Sequence, residues 1–256
     1  MLPYHKTLGI AIKSRKHGET SKLLTIYTKD YGKINAIAKG ARKLKSRFGC
    51  SLELFTESKM MLYKKEAGEL YLVSQTLITE HFRNLCSDMK KFTVASVVSE
   101  FMFNFTPNAE SNPSLYNLYK YILSALDSGN EEDKVLLMFM VKFLTISGYK
   151  LHLKSCSSCG SKNIEKEENK FISAKFGGAL CEECAGKDFA KIKVAGSTMK
   201  LLEYFQQKDF EGLSKISFTE ASKKEVSKVI EYFLEYYFES KLKSLSVMES
   251  IAKYSS

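Results

Sequence analysis

Two spacings of apolar residues divide the chain. Over residues 7–12, 22–28, 33–38, 59–63 and 70–77, apolar positions come in short runs rich in β-branched and aromatic side chains, which pack well on a pleated face. These runs predict five strands. Turn chemistry separates them. His17-Gly18, Asp30-Tyr31-Gly32 and Ala67-Gly68 put glycine where the backbone can take positive φ at no steric cost. The longer gap between the third and fourth strands, residues 40–57, is where a five-stranded OB barrel carries its larger connection.

After His81 the spacing changes to three and four residues over 90–105, 113–126, 133–146, 197–205 and 222–245, predicting helices. Asn112 before Pro113 reads as a cap and first-turn pair, and Gly129 and Gly148 read as stops. The aromatic stripe Phe92, Phe101, Phe103 and Phe105 reads as bundle core. The expected fold class is α+β: an OB-fold barrel over 1–80, then a helical domain over 81–256 with a metal-bound insert at 155–187. The longest apolar run, Val135 to Val141, stops at Lys142, far short of the roughly 18 to 20 residues of a membrane span. The first six residues contain no apolar signal core. The expectation is a cytoplasmic protein.

The insert is defined by cysteines. Cys156-Ser-Ser-Cys159-Gly160 and Cys181-Glu-Glu-Cys184 each offer two sulfurs to one cation, and the 160–180 segment is long enough to bring the pairs together. With all four positions filled by sulfur, an ion there has no open position for activated water, so one structural zinc is expected. A redox dithiol and ordinary buried cysteines are the competing readings. Cys50 and Cys86 stand singly and read as packing residues.

Charge adds a location. The chain carries 39 Lys+Arg against 29 Asp+Glu, and residues 1–80 hold 15 against 7, nearly all of the excess. It concentrates in Lys39, Arg42, Lys43, Lys45 and Arg47, with a second group at Lys13, Arg15 and Lys16. Such clusters bind phosphates, because a guanidinium fork matches phosphate oxygens and sheds hydration easily. A barrel with a positive loop is a familiar surface for single strands, held by backbone neutralisation and base stacking. Phe48 joins the DNA-binding set, with Tyr31 and Tyr71 as further stacking candidates.

No catalytic signature is present: no phosphate loop, no H-E-x-x-H, no G-x-S-x-G and no zinc-deaminase pattern. His5, His17, His81 and His152 are scattered. A binding protein is favoured over an enzyme. An RNA-binding or ribosome-associated OB protein, and a nuclease using an added divalent ion, are the alternatives.

Gly9-Ile-Ala-Ile-Lys13, Gly18-Glu-Thr-Ser-Lys-Leu-Leu-Thr-Ile-Tyr-Thr28, Tyr31-Gly-Lys33 and above all Ala38-Lys-Gly-Ala-Arg-Lys43 with Ser46-Arg-Phe48 resemble the RecO family of bacterial recombination mediators. The match spans the whole chain, and Leu242-Lys-Ser-Leu245 adds a little to it. Many members carry a four-cysteine zinc motif, matched here by Cys156, Cys159, Cys181 and Cys184. Leu52-Glu-Leu-Phe55 departs from the family, which often has Pro before the aromatic. The resemblance implies non-enzymatic work in recombinational repair. Its expected partners are single- and double-stranded DNA, RecR and the acidic tail of single-strand-binding protein. RecA is expected to be helped indirectly onto coated strands, and complementary strands to be annealed without ATP.

Overall fold

The computed structural model describes residues 4–64, 68, 70–208 and 216–238. Ala67 of the expected third turn, the 239–245 end of the expected last helix and Leu242-Lys-Ser-Leu245 lie outside the described residues. The chain forms two compact units, Met1–Glu132 and Asp133–Lys241.

In the first unit, β1 (Tyr4–His17), β2 (Ser21–Thr28), β3 (Gly32–Ala38), β4 (Thr56–Lys64) and β5 (Tyr71–His81) close a barrel in the order β1-β2-β3-β5-β4. This is the OB fold, with β3 and β5 joined in parallel at Ala36↔Tyr71 and Ile37↔Leu72. Alternation puts Leu24 and Ile26, Ile34 and Ala36, Met60 and Leu62, and Val73 inside, all buried. Strand β1 is longer than its apolar run. Its first half pairs with β4 and its second half with β2, so the polar stretch from Lys13 to His17 is held in the ladder despite its charges. A bulge between Ala11 and Lys13 turns Lys13, Arg15 and His17 outward, while Ile12 stays buried.

Three helices complete this unit. α1 (Arg83–Ser87) has five residues, too few for a visible period. α2 (Met89–Asn104) starts where the Asp88 carboxylate accepts the Lys90 and Lys91 N–H groups at 2.8 and 3.2 Å. α3 (Pro113–Asp127) starts at Asn112, whose Oδ1 accepts the Leu115 N–H at 3.0 Å. Gly129 and Gly148 take φ of 87° and 90° at the expected stops.

The aromatic stripe divides. Phe101 and Phe105, four residues apart, are buried and meet edge to face, whereas Phe92 is exposed and Phe103 only half-buried. Residues two apart on a helix point about 200° away from each other, so Phe103 faces elsewhere. Cys50 and Cys86 are exposed and are not packing residues; neither falls on an inward position of its segment.

A buried carboxylate ties the barrel to α3. Glu57 on β4 is 1% exposed and accepts hydrogen bonds from Tyr116 Oη at 2.8 Å, Lys120 Nζ at 2.9 Å and Thr79 Oγ1 at 2.7 Å. Burial pushes its pKa up, but these donors and the Lys120 charge outweigh that and hold it below the ordinary carboxylate value.

The second unit contains α4 (Glu132–Ile146), a small sheet of order β7-β6-β8, and two further helices. The strands are β6 (Lys170–Ser173), β7 (Gly178–Leu180) and β8 (Ile192–Val194). α5 (Gly196–Gln207) and α6 (Glu220–Phe238) follow. α6 buries Val226, Val229, Ile230, Phe233 and Leu234 at three- and four-residue steps. No helix among the described residues is long and apolar enough to cross a membrane.

Candidate nucleic-acid interface and metal centre

The register of β1, β2 and β3 builds a surface outside the barrel. Lys13 lies opposite Thr25 and Thr25 opposite Asn35; one step along, Arg15 lies opposite Leu23 and Leu23 opposite Ile37. Cations therefore stand on β1, and an apolar strip runs over β2 and β3. In an OB barrel this is the β2–β3 face on which oligonucleotides are commonly held.

Phe103, Asn104 and Asn108 raise a wall beside this face and make it a groove of about 690 Å³. A second hollow of about 390 Å³, lined by Lys39 and Lys43, shares His17 and Ile37 with it. The wall is fixed by backbone. The Ala109 N–H donates to the Lys33 carbonyl at 2.8 Å, and Asn108 bridges Lys33 as a short parallel extension of β3. Gly32, at φ 62°, allows this approach: a Cβ there would stand 1.9 Å from the Glu110 carbonyl oxygen. Lys33 is 8% exposed, and its ammonium donates to the Phe103 carbonyl. Burial lowers its pKa. The Lys13 ammonium sits 4.2 Å from the Phe103 ring centroid.

The basic loop follows β3. Lys39, Arg42, Lys43, Lys45 and Arg47 are exposed, as are Lys13, Arg15 and Lys16. Arg42 has a separate task. Its Nη1 donates to the Gly18 and Glu19 carbonyls at 3.2 and 3.0 Å, and its N–H to Thr20 O at 2.8 Å. It pins the loop to the β1–β2 turn, leaving Lys39, Lys43, Lys45 and Arg47 as the projecting charges. Two of the three stacking candidates, Phe48 and Tyr71, are corrected, while Tyr31 is half-buried. Phe48 and Tyr71 are 4% and 6% exposed and belong to the barrel core, and Tyr31 packs against it. A ring this buried has no face to offer a base; burying it stabilises the barrel instead.

In the second unit, Cys156, Cys159, Cys181 and Cys184 bring their sulfurs within 4.8 Å of one another. The Cys159 and Cys181 sulfurs are 3.7 Å apart. A tetrahedral ion with bonds of about 2.3 Å would separate its sulfurs by about 3.8 Å, so the donor set fits a metal ion. Each pair sits in a tight turn: the Gly160 N–H donates to Cys156 O at 2.8 Å, and the Cys184 N–H to Cys181 O at 3.0 Å. Burial pushes the Cys156 thiol up, but N–H groups of Cys181, Cys159 and Ser158 bring it down to about 6. Burial and the neighbouring sulfurs push Cys181 up to about 12. Sulfurs this close cannot all ionise without a cation among them.

Residues 1–82 match the family model "Recombination protein O N terminal", and residues 86–246 match "Recombination protein O C terminal". The chain belongs to the RecO family. It is 36% identical over 230 residues to the DNA repair protein RecO of Alkaliphilus metalliredigens, covering 90% of this chain and 92% of that one. The RecO of Caldanaerobacter subterraneus is 34% identical over 93% of this chain and 95% of its own, and that of Halalkalibacterium halodurans 31% over 97% and 95%. This RecO-family chain is thus a DNA repair protein.

The groove also brings in Lys33, Asn35, Phe103 and Asn108, none of which the sequence set beside the RecO-family cations. Nothing local signalled that residues 103–110 fold back onto β3.

Proposed function

We propose that the barrel is the DNA-binding part of a non-enzymatic recombination mediator. Protein and DNA meet through Lys13, Arg15 and Lys16 on β1 and Lys39, Lys43, Lys45 and Arg47 on the loop, with Arg42 holding that loop in place. The reading rests on one observation: the strand-face groove, lined by Lys13 and Arg15, and the loop hollow, lined by Lys39 and Lys43, share His17 and Ile37, so both groups of cations stand on neighbouring hollows. Two strands repel each other through their phosphates, and a protein that neutralises several of them releases condensed counterions and lets the strands approach. Binding of single- and double-stranded DNA and annealing of complements follow without ATP. As the family likeness implies, the protein acts with RecR in the cytoplasm on strands coated by single-strand-binding protein, and assists RecA loading there. The ion held by Cys156, Cys159, Cys181 and Cys184 is zinc, whose preference for four thiolates suits a closed structural site.

The test is annealing of complementary oligonucleotides coated with single-strand-binding protein. The triple variant Lys39→Glu, Lys43→Glu and Lys45→Glu should slow annealing by about tenfold or more, three cations having been taken from the phosphates. Its circular dichroism should match wild type. Undiminished annealing by the folded variant would move the DNA site off this loop.

A further inference from the structure

We propose that the groove between β1–β3 and the Phe103–Asn108 wall is a pocket for one unstacked nucleotide of single-stranded DNA. The proposal rests on the DNA-binding reading above and gives it a discriminating element. Three features of the groove point the same way.

Its chemistry is divided as a nucleotide is. Lys13 and Arg15 border it on β1, where a phosphate would be neutralised, while Leu23 and Ile37 form an apolar floor and Leu70, 40% exposed, stands at its edge. Amides surround that floor. The Asn35 Oδ1 accepts from Thr25 Oγ1 at 2.9 Å, which leaves its NH₂ to donate, and Asn104 and Asn108 are exposed on the wall. Amides that both donate and accept can meet the edge of any base. The volume of about 690 Å³ lies within the roughly 300–1,000 Å³ of small-ligand pockets.

The pocket also holds cations that lack an anion. Among the described residues no carboxylate pairs with Lys13 or Lys33. Lys33 is nine-tenths buried with a carbonyl as its partner, and Lys13 rests over the Phe103 ring. A phosphate arriving at the border draws Lys13 from the ring, which leaves Lys33 at 5.4 Å from the ring centroid and opens the position Lys13 held to a base. In a duplex, each base face is covered by its neighbours and each edge by its complement, so the floor and wall gain nothing from it. Duplex DNA is left with the outer cations, whereas a single strand adds the pocket.

The experiment uses the full-length protein at fixed salt with three probes: a thymidine oligonucleotide, the same backbone carrying abasic sites, and a duplex of equal length. Wild type should prefer the thymidine strand over the abasic one by about five- to 150-fold, the range of one base–aromatic contact. Phe103→Ala and, separately, Asn108→Ala should shrink that preference and leave abasic and duplex affinities within about twofold. Equal binding of thymidine and abasic strands by wild type would overturn the pocket while leaving the cationic reading intact. So would an undiminished preference in both folded variants. Failure to bind any probe at low salt would instead overturn the cationic reading beneath it. The wild-type comparison needs no variant, so a misfolded substitution cannot shelter the idea.

Discussion

The barrel and the cysteine lobe solve the problem of holding a small structure together in opposite ways. The barrel closes five strands over the apolar core of Leu24, Ile26, Ile34, Met60, Leu62 and Val73. The lobe has a sheet whose strands are three or four residues long, beside four sulfurs that compete for charge. On the proposed reading the two are exposed to different agents: salt should release a ligand from the barrel without altering its shape, and chelator should open the lobe.

The largest effect expected from breaking this contrast is metal removal. Structural zinc in small domains contributes on the order of 10 kcal/mol to folding, more than sheet β7-β6-β8 can replace. Elemental analysis should give one zinc per chain. Chelation, or Cys159→Ser, should expose residues 155–187 to hydrogen exchange while the helical circular dichroism signal and the barrel persist. A metal-free preparation with those amides still protected would erase the distinction between the lobes.

Next in size is salt. If about six phosphates are neutralised, DNA affinity should fall roughly a thousandfold between 50 and 200 mM. Titration of a labelled oligonucleotide reads this directly, and a flat response would remove the electrostatic account of the barrel face.

A smaller effect probes the barrel's own attachment to α3. Lys120→Met leaves the Glu57 carboxylate buried with only its hydroxyl donors, which should cost about 3 kcal/mol near neutral pH. In the wild type, Glu57 has a folded pKa below its ordinary 4.5. The stability it supplies is therefore complete above about pH 4.5 and lost as pH falls through the lowered value. Lys120→Met should move that loss to higher pH, as read by urea denaturation across pH 3 to 7. An unchanged acid limb would show that Lys120 does not hold the carboxylate down.

What could be read from the chain follows from how local each signal is. The β2 and β3 runs and the metal-ligand spacing announce themselves within a few residues, because alternation and chelation are short-range geometry. The second half of β1 hid behind its own charges, since only pairing with β2 makes Lys13 to His17 a strand. Phe103 looked like core because a run of phenylalanines hides the helical angle between positions two apart. Phe48 was grouped with the DNA-binding residues, yet its ring closes the barrel. The groove itself was illegible: its wall depends on Asn108 and Ala109 meeting Lys33, some 75 residues earlier in sequence.

The backbone junction at Gly32 carries a consequence for evolution by point mutation. A methyl group at position 32 would collide with a peptide carbonyl and not with a yielding side chain, so the wall would have to lift off β3 as a whole. The width of the groove is thereby calibrated by one absent carbon. Substitutions along the rim can retune its chemistry, while bore is governed from behind the wall.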